Sequence, residues 1–533
     1  LGKFRSTLVV ILCLALLAPL GCSAPPVDDS NTLKVAVTEE QETADVQLTT
    51  WAYTLPLNLY DRLVEAKTTG PLVSEIVPGL AERWDISPDG KVYTFYLRQG
   101  VKFHNGEELK ADDVLFTFDR MLNPATKAMN ADFMDMIAGG QERLEGVADA
   151  VSGLKVIDEY TIEITLAEPY APFLANIATP AGSIYNRKAT EAAGEKFGID
   201  PALTVGTGPF KLTEWVVNDH MTMEAFDDYY LGRPSLDKIL VKVVPDADTQ
   251  RMLFETGDLD VFDCDNARTQ IPYFESHETW GSQIVSGPRV GVYYYCINES
   301  IKPFNDVRVR KALQMAIDRQ TILDTLYYGK GQIVNTIMPP GLFGYNPAAP
   351  QIAYDPERAK ALLAEAGYPN GFDMVIAQIT DRPATLRINE AVQSMLKEVG
   401  INVDIQQMDS AAWFATRGEG KLPMYHSDWS ADFNDPDNFI YTFFAPRNSV
   451  NRSFNYNNAR VATQLENART MTDPAARSAL YQEIEKQIVI EDAAWIPLFS
   501  LEHLFIVQPR VKNFSVSWNG WSSMSYYGIS IEE

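Results

Sequence analysis

Cysteine and histidine are scarce in this chain. Its 533 residues hold four cysteines and five histidines. A disulfide scaffold needs a denser framework than that. Histidines 104, 220, 277, 426 and 503 show no HExxH or other paired metal-ligand spacing, which argues against a protein-built metal site. Positive charge is also in deficit. Lysine and arginine number 45 against 71 acids, a formal charge of −26. Such a surface repels phosphate backbones and anionic headgroups, so nucleic acid is not an expected partner. There is no G-x-S-x-G elbow, P-loop or dinucleotide fingerprint. The acidic run 428–438 lacks a glycine at the sixth position from Asp432, and its twelfth is Phe443, so it is not an EF-hand-type calcium loop. Internal repeats, low-complexity tracts and a long linker are missing as well.

The N-terminus is of a different character. Lys3 and Arg5 precede an apolar run from Leu8 to Leu20, of signal-peptide length and too short for a bilayer core of about 30 Å. Leu20-Gly21-Cys22 resembles a bacterial lipobox, which makes Cys22 the expected lipid-attachment residue and 1–22 a signal peptide. A plain secretory signal cut near Ala24 is the alternative. Residues 23–31, with Pro25, Pro26, Asp28 and Asp29, read as a solvated tether. Two cysteines remain beyond it, Cys264 and Cys296. An export compartment permits one disulfide between them, and buried free thiols are the equal alternative.

Strand and helix signals alternate thereafter. Leu33 to Val37 and Thr161 to Leu166 alternate apolar and polar residues as strands do. Lys91 to Phe103, broken by Gly100, reads as a hairpin. Asp112 to Met121 reads as a helix with acids in its first turn. Asp306 to Gly329 carries apolar residues at helical spacing. Asp355-Pro356 and Asp473-Pro474 are an N-cap followed by a proline at the first helical position. Leu386 to Val399 is helical, and Ile401 to Ile405 alternates as a strand. The traffic implies an α/β fold with mixed sheets.

Five segments, in order, resemble the peptide- and nickel-binding class of extracytoplasmic solute-binding proteins, family 5. They are Gly79–Gly106 (GLAERWDISPDGKVYTFYLRQGVKFHNG); Gly206–Phe210 with Trp215 and Tyr229-Tyr230 after it; Tyr293–Arg319; Asp355–Gly367; and Trp429–Pro436 (WSADFNDP). The resemblance covers roughly 33–520. It implies a bilobal periplasmic-binding-protein-like fold of type II with an extra subdomain and two hinge crossings. Lobe I would comprise 32–60, 179–291 and 499–533, the insert 61–178, and lobe II 292–498. It further implies a monomer outside the cytoplasm that passes its cargo to an ABC permease, with neither cofactor nor catalytic residues. A secreted hydrolase is the alternative of a different class. Within the class, an oligosaccharide, a nickel chelate or haem are rival cargoes.

A free peptide offers an ammonium, a carboxylate and a regular backbone, so a binder of many sequences should grip those. In oligopeptide- and dipeptide-binding members a Trp-x-x-Asp element supplies the carboxylate for the ammonium. Here it is Trp429-Ser430-Ala431-Asp432, and Asn434, Asp435 and Pro436 look like the turn formers that leave Asp432 free. Trp429 would form a pocket wall. Relatives carry an arginine near Arg382, whose planar guanidinium suits a terminal carboxylate, with Arg387 as its competitor. His426 stands where oligopeptide binders have an arginine. Glu40, with Glu39, would add negative charge near the ammonium. Of Tyr293, Tyr294 and Tyr295, alternation sends the middle one to the opposite face.

Overall fold

The computed structural model describes residues 30–51, 53–70, 72–519 and 524–532. The signal segment and Cys22 lie outside the described residues.

The strand Thr32–Val37 pairs in parallel with Lys238–Val243, in register from Thr32↔Lys238 to Val37↔Val243. His220–Ala225 and Phe210–Val216 extend this sheet in antiparallel fashion. Alternation places Leu33 and Val35 in one core with Tyr60, Tyr185 and Phe210. A second sheet has Phe499–Val507 at its centre, between Val261–Asp263 and Ile284–Pro288. The buried Asp260 ties the two sheets together. Its carboxylate accepts from the Lys34 N–H at 2.7 Å and pairs with Arg510 at 2.7 Å. A buried carboxylate is tolerated there because both oxygens are engaged.

Residues 81–165 contribute a separate four-stranded antiparallel sheet, ordered Ala81–Ile86, Val92–Leu97, Thr161–Thr165, Leu154–Asp158, with its own apolar core. The helix Ala111–Leu122 packs into that core through Val114, Phe118 and Met121. The hairpin expected at Lys91–Phe103 is not formed as such. Gly100 (φ +76°) ends the strand, and Val92–Leu97 pairs instead with Ala81–Ile86 across the turn at Gly90. The nearer turn chemistry, Ser87 to Lys91, decides the partner.

In the remaining body, Gly291–Ile297 is the central strand, flanked antiparallel by Met424–Ser430 and Trp495–Pro497. The tyrosine run alternates across it. Tyr294 stacks on Trp495 at 3.9 Å in one core, while Tyr295 enters the other and donates to Asn389 Oδ1 at 2.7 Å. Asp373–Ile379 and Asn402–Met408 pair in parallel around the helix Pro383–Glu398. Asp355 and Asp473 cap their helices, each accepting a backbone N–H at 2.8 Å. The helical spacing over 306–329 resolves into two helices, Val307–Ala316 and Arg319–Tyr327. Asp318 breaks the run by accepting the Thr321 N–H, since a short carboxylate competes for backbone donors. Cys264 and Cys296 are buried free thiols that lie in different cores.

The chain passes between the sheet centred on Phe499–Val507 and the one centred on Gly291–Ile297 at 288–291 and again at 497–499. The two crossings lie side by side: Arg289 N–H donates to the Leu501 carbonyl at 3.2 Å, and Leu498 N–H to that of Tyr293 at 2.8 Å.

Candidate functional site

The strand Met424–Ser430 delivers the site. Beyond its end, the Ala431 N–H donates to the Val290 carbonyl at 2.8 Å, and Ala431 is fully buried. The following turn is built by other side chains. Asn434 Oδ1 accepts the Phe343 N–H at 2.6 Å. Asp435 caps the short helical turn Pro436–Asn438 and pairs with both terminal nitrogens of Arg477 at 2.5 and 2.7 Å. Asp432 is thereby left for the cavity.

Asn438 fixes its direction. The Asp432 N–H donates to Asn438 Oδ1 and Asn438 Nδ2 donates to Asp432 Oδ2, both at 2.9 Å. Trp429 donates its indole N–H to the Asn438 carbonyl at 2.8 Å, and the Arg452 guanidinium stacks over its ring at 4.7 Å. Among the described residues, no cation forms an ion pair with Asp432. Burial, aided by the Asp132 carboxylate across the cavity, pushes its pKa up to about 6, against the pull of Asn438 and Arg452. Asp432 borders two spaces. One, of about 550 Å³, also touches Asp132, Asn176, Trp429 and Arg452. The other, of about 460 Å³, reaches Asp61, Tyr229 and Trp518. Asp132, Phe133, Tyr170 and Asn176 also border the first space. Tyr170 donates to Asp437 Oδ2 at 2.8 Å, and Phe133 meets Phe433 edge-on.

Trp429 and Asp432 come together at the first space, whereas Ala431 is buried in the core behind them and borders neither space; the other sequence-derived candidates stand apart. His426 is three residues from Trp429, which puts it on the opposite face of the strand. There it packs between Tyr293 and Tyr295, and burial lowers its pKa to about 3, so the ring is neutral. Glu40 accepts the Trp215 indole N–H at 2.8 Å and the Asn218 N–H at 3.0 Å, which clamps a hairpin away from Asp432. Glu39 lines a third cavity, of about 370 Å³. Arg382 and Arg387 are exposed at the start of the helix Pro383–Glu398, and neither lines the spaces around Asp432.

The sequence reading missed several residues. Arg289, at the hinge, donates to Ser430 Oγ at 2.7 Å and lines the third cavity beside Glu39. Asn438, Asp132 and Asp61 also belong to the cavities around Asp432. No local pattern marks them, because their role arises from distant segments meeting.

A model for bacterial extracellular solute-binding proteins, family 5, matches residues 75–451. This chain belongs to that family. Among family 5 relatives, the dipeptide-binding protein of Escherichia coli is 33% identical over 497 residues, covering 89% of each chain. The heme-binding protein A of Haemophilus influenzae is 32% identical over 490 residues, covering 89% of this chain and 87% of that one. An ABC transporter-associated periplasmic binding protein of Helicobacter pylori, solved with the peptide STSA, superposes with a TM-score of 0.78 at 29% identity, covering 94% of this chain and 98% of that one. The family 5 fold is bilobal.

Proposed function

We propose that this chain captures short peptides outside the cytoplasm between its two lobes and delivers them to an ABC permease, with Asp432 neutralising the peptide ammonium. One observation carries the reading. Asp432 is a carboxylate bordering the cavities, aimed by Asn438, in no ion pair with a cation of the described residues although Arg452 lines the same space, and placed in the low-dielectric setting where an ammonium is held most strongly. The similarity to a dipeptide binder and to a protein solved with a tetrapeptide supports it.

In this reading Trp429 walls the pocket and Arg382 receives the terminal carboxylate on closure. Arg382 forms no ion pair among the described residues and is free to do so. Lobe I comprises 32–60, 179–291 and 499–533, lobe II 292–498, and 61–178 is inserted. Ligand contacts both lobes only in the closed form, so binding shifts the population toward the state a permease reads. A diacylated Cys22 holds the monomeric protein at the membrane.

Calorimetry with a mixed library of free peptides, and with the same peptides N-acetylated, tests the claim. Free peptides should bind and acetylated ones should be strongly weakened. Equal binding would remove Asp432 from the ammonium role. The haem-binding relative motivates a parallel titration with haem; binding of haem alone would replace the peptide reading. Mass spectrometry of the mature N-terminus should show an acylated cysteine, and an unmodified residue after Ala24 would exclude the anchor.

A further inference from the structure

The space of about 460 Å³ is lined by Asp432 and by a second carboxylate, Asp61. Asp61 is only 5% exposed. Its Oδ1 accepts from the Tyr229 hydroxyl at 3.0 Å, while its Oδ2 is buried and has no donor. The adjacent cation does not serve that oxygen. Arg62 is committed to Glu65, through Nε at 2.9 Å and a second contact from Nη2, and to the Tyr60 carbonyl. Lys67, the other cation on the lining, is exposed at the rim. A buried carboxylate oxygen with no donor is costly and calls for an explanation. Burial, reinforced by Glu65, holds the Asp61 pKa up at about 7 against the pull of Arg62 and of hydrogen bonding by Tyr229 and Thr207. An incoming cation would relieve that desolvation directly.

The rest of the lining suits a cation as well. Tyr229 and Tyr230 meet edge-on at 4.9 Å, and Trp518 borders the same space, its indole N–H directed to the Gly341 carbonyl at 3.3 Å. Aromatic faces beside a carboxylate are the combination that holds ammonium and guanidinium groups out of water.

We propose that this cavity is a subsite for a second positive charge on the ligand, so that the protein prefers peptides whose first residue is lysine or arginine. The α-ammonium rests on Asp432, and the side-chain cation enters the space lined by Asp61, Tyr229 and Trp518 and is neutralised by the Asp61 carboxylate. The inference rests on the peptide reading of Asp432 and refines its substrate class.

The test is calorimetry of the full mature chain with Lys-Ala-Ala, norleucine-Ala-Ala and Nε-acetyl-lysine-Ala-Ala, on wild type and Asp61→Asn. Wild type should bind the lysine peptide at least about tenfold more tightly than either neutral analogue, the span of one charge-assisted hydrogen bond. Asp61→Asn should erase that preference, bringing the lysine peptide to the affinity of the two neutral analogues. Equal affinity of wild type for lysine and Nε-acetyl-lysine peptides would overturn the proposal without any variant, so a misfolded Asp61→Asn cannot shelter it. Equal weakening of all three peptides by Asp61→Asn would assign Asp61 a structural role instead. If wild type binds none of them, the Asp432 reading itself falls and the subsite with it.

Discussion

Asp432 and Asn438 hold each other by two reciprocal hydrogen bonds of 2.9 Å, main chain to side chain in one direction and side chain to side chain in the other. The pair converts a loop aspartate into a fixed carboxylate, with one oxygen engaged by Asn438. It also separates two roles that look alike in the run Asp432-Phe433-Asn434-Asp435: Asn434 and Asp435 make the turn, and Asp432 borders the cavity.

Replacing Asp432 by Asn should leave the fold intact and weaken free peptides by the amount of an uncompensated buried charge, about 3–5 kcal/mol. Acetylated peptides should not change. Asn438→Ala should act in the same direction with a smaller effect, about 1 kcal/mol, since the carboxylate remains and only its orientation is lost. Calorimetry on both variants checks the order; a larger loss in Asn438→Ala would show that the turn, not the charge, controls binding.

Affinity should depend on pH through Asp432. With its pKa at about 6, the carboxylate is charged above that value and neutral below it. Peptide affinity should therefore fall as pH drops through about 6, by up to tenfold per unit, and Asp432→Asn should lack this limb. Stability of the empty protein moves the opposite way. The folded pKa lies above the ordinary 3.8, so the folded state holds the proton more tightly and Asp432's contribution declines as pH rises from about 4 to 6. His426, held near 3, does not titrate in that window.

Glu485 offers a test of the same sign without ligand. It is buried and accepts the Ile337 and Met338 N–H groups at 2.8 and 2.7 Å, and burial raises its pKa to about 8. Its contribution should be full below about pH 4.5 and lost progressively as pH rises to about 8. Glu485→Gln keeps an acceptor and has no charge to desolvate. Its Tm should match wild type at pH 4 and exceed it at pH 8, by on the order of 1–3 kcal/mol of stability. A lower Tm at pH 8 would refute the account.

Arg477 and Asp435 form a buried bidentate pair that anchors the turn after Asp432. Arg477→Ala leaves Asp435 charged and unpaired, which should cost about 3–5 kcal/mol in denaturant unfolding. Binding should weaken with it, because the turn that carries Asn438 loosens. Unchanged unfolding with lost binding would point to a direct ligand role for Arg477 instead.

Much of the architecture was legible wherever the governing interactions are local. The strand at Thr32–Val37, the proline-led helices capped by Asp355 and Asp473, and the alternation of Tyr293, Tyr294 and Tyr295 follow from side-chain period and capping chemistry within a few residues. The readings that shifted did so for equally local but competing reasons. Asp318 divided a helix, and Gly100 ended a strand whose partner lay on the other side of a tighter turn. At the site, Trp429 and Asp432 form a short motif that borders the cavity, whereas strand parity takes His426 to the opposite face and Glu40 is engaged by Trp215, a residue 175 positions away.

By itself, then, the sequence determined the local elements, the acidic and cysteine-poor character of the chain, and the motif that carries Asp432, since each depends on neighbours in the chain. Tertiary structure alone decided which carboxylates share a space. Asp432 shares one space with Asp132 and another with Asp61, residues 300 and 371 positions earlier in the chain. Electrostatics inside a cavity is set by distance and burial, and neither is written in the order of residues along the chain.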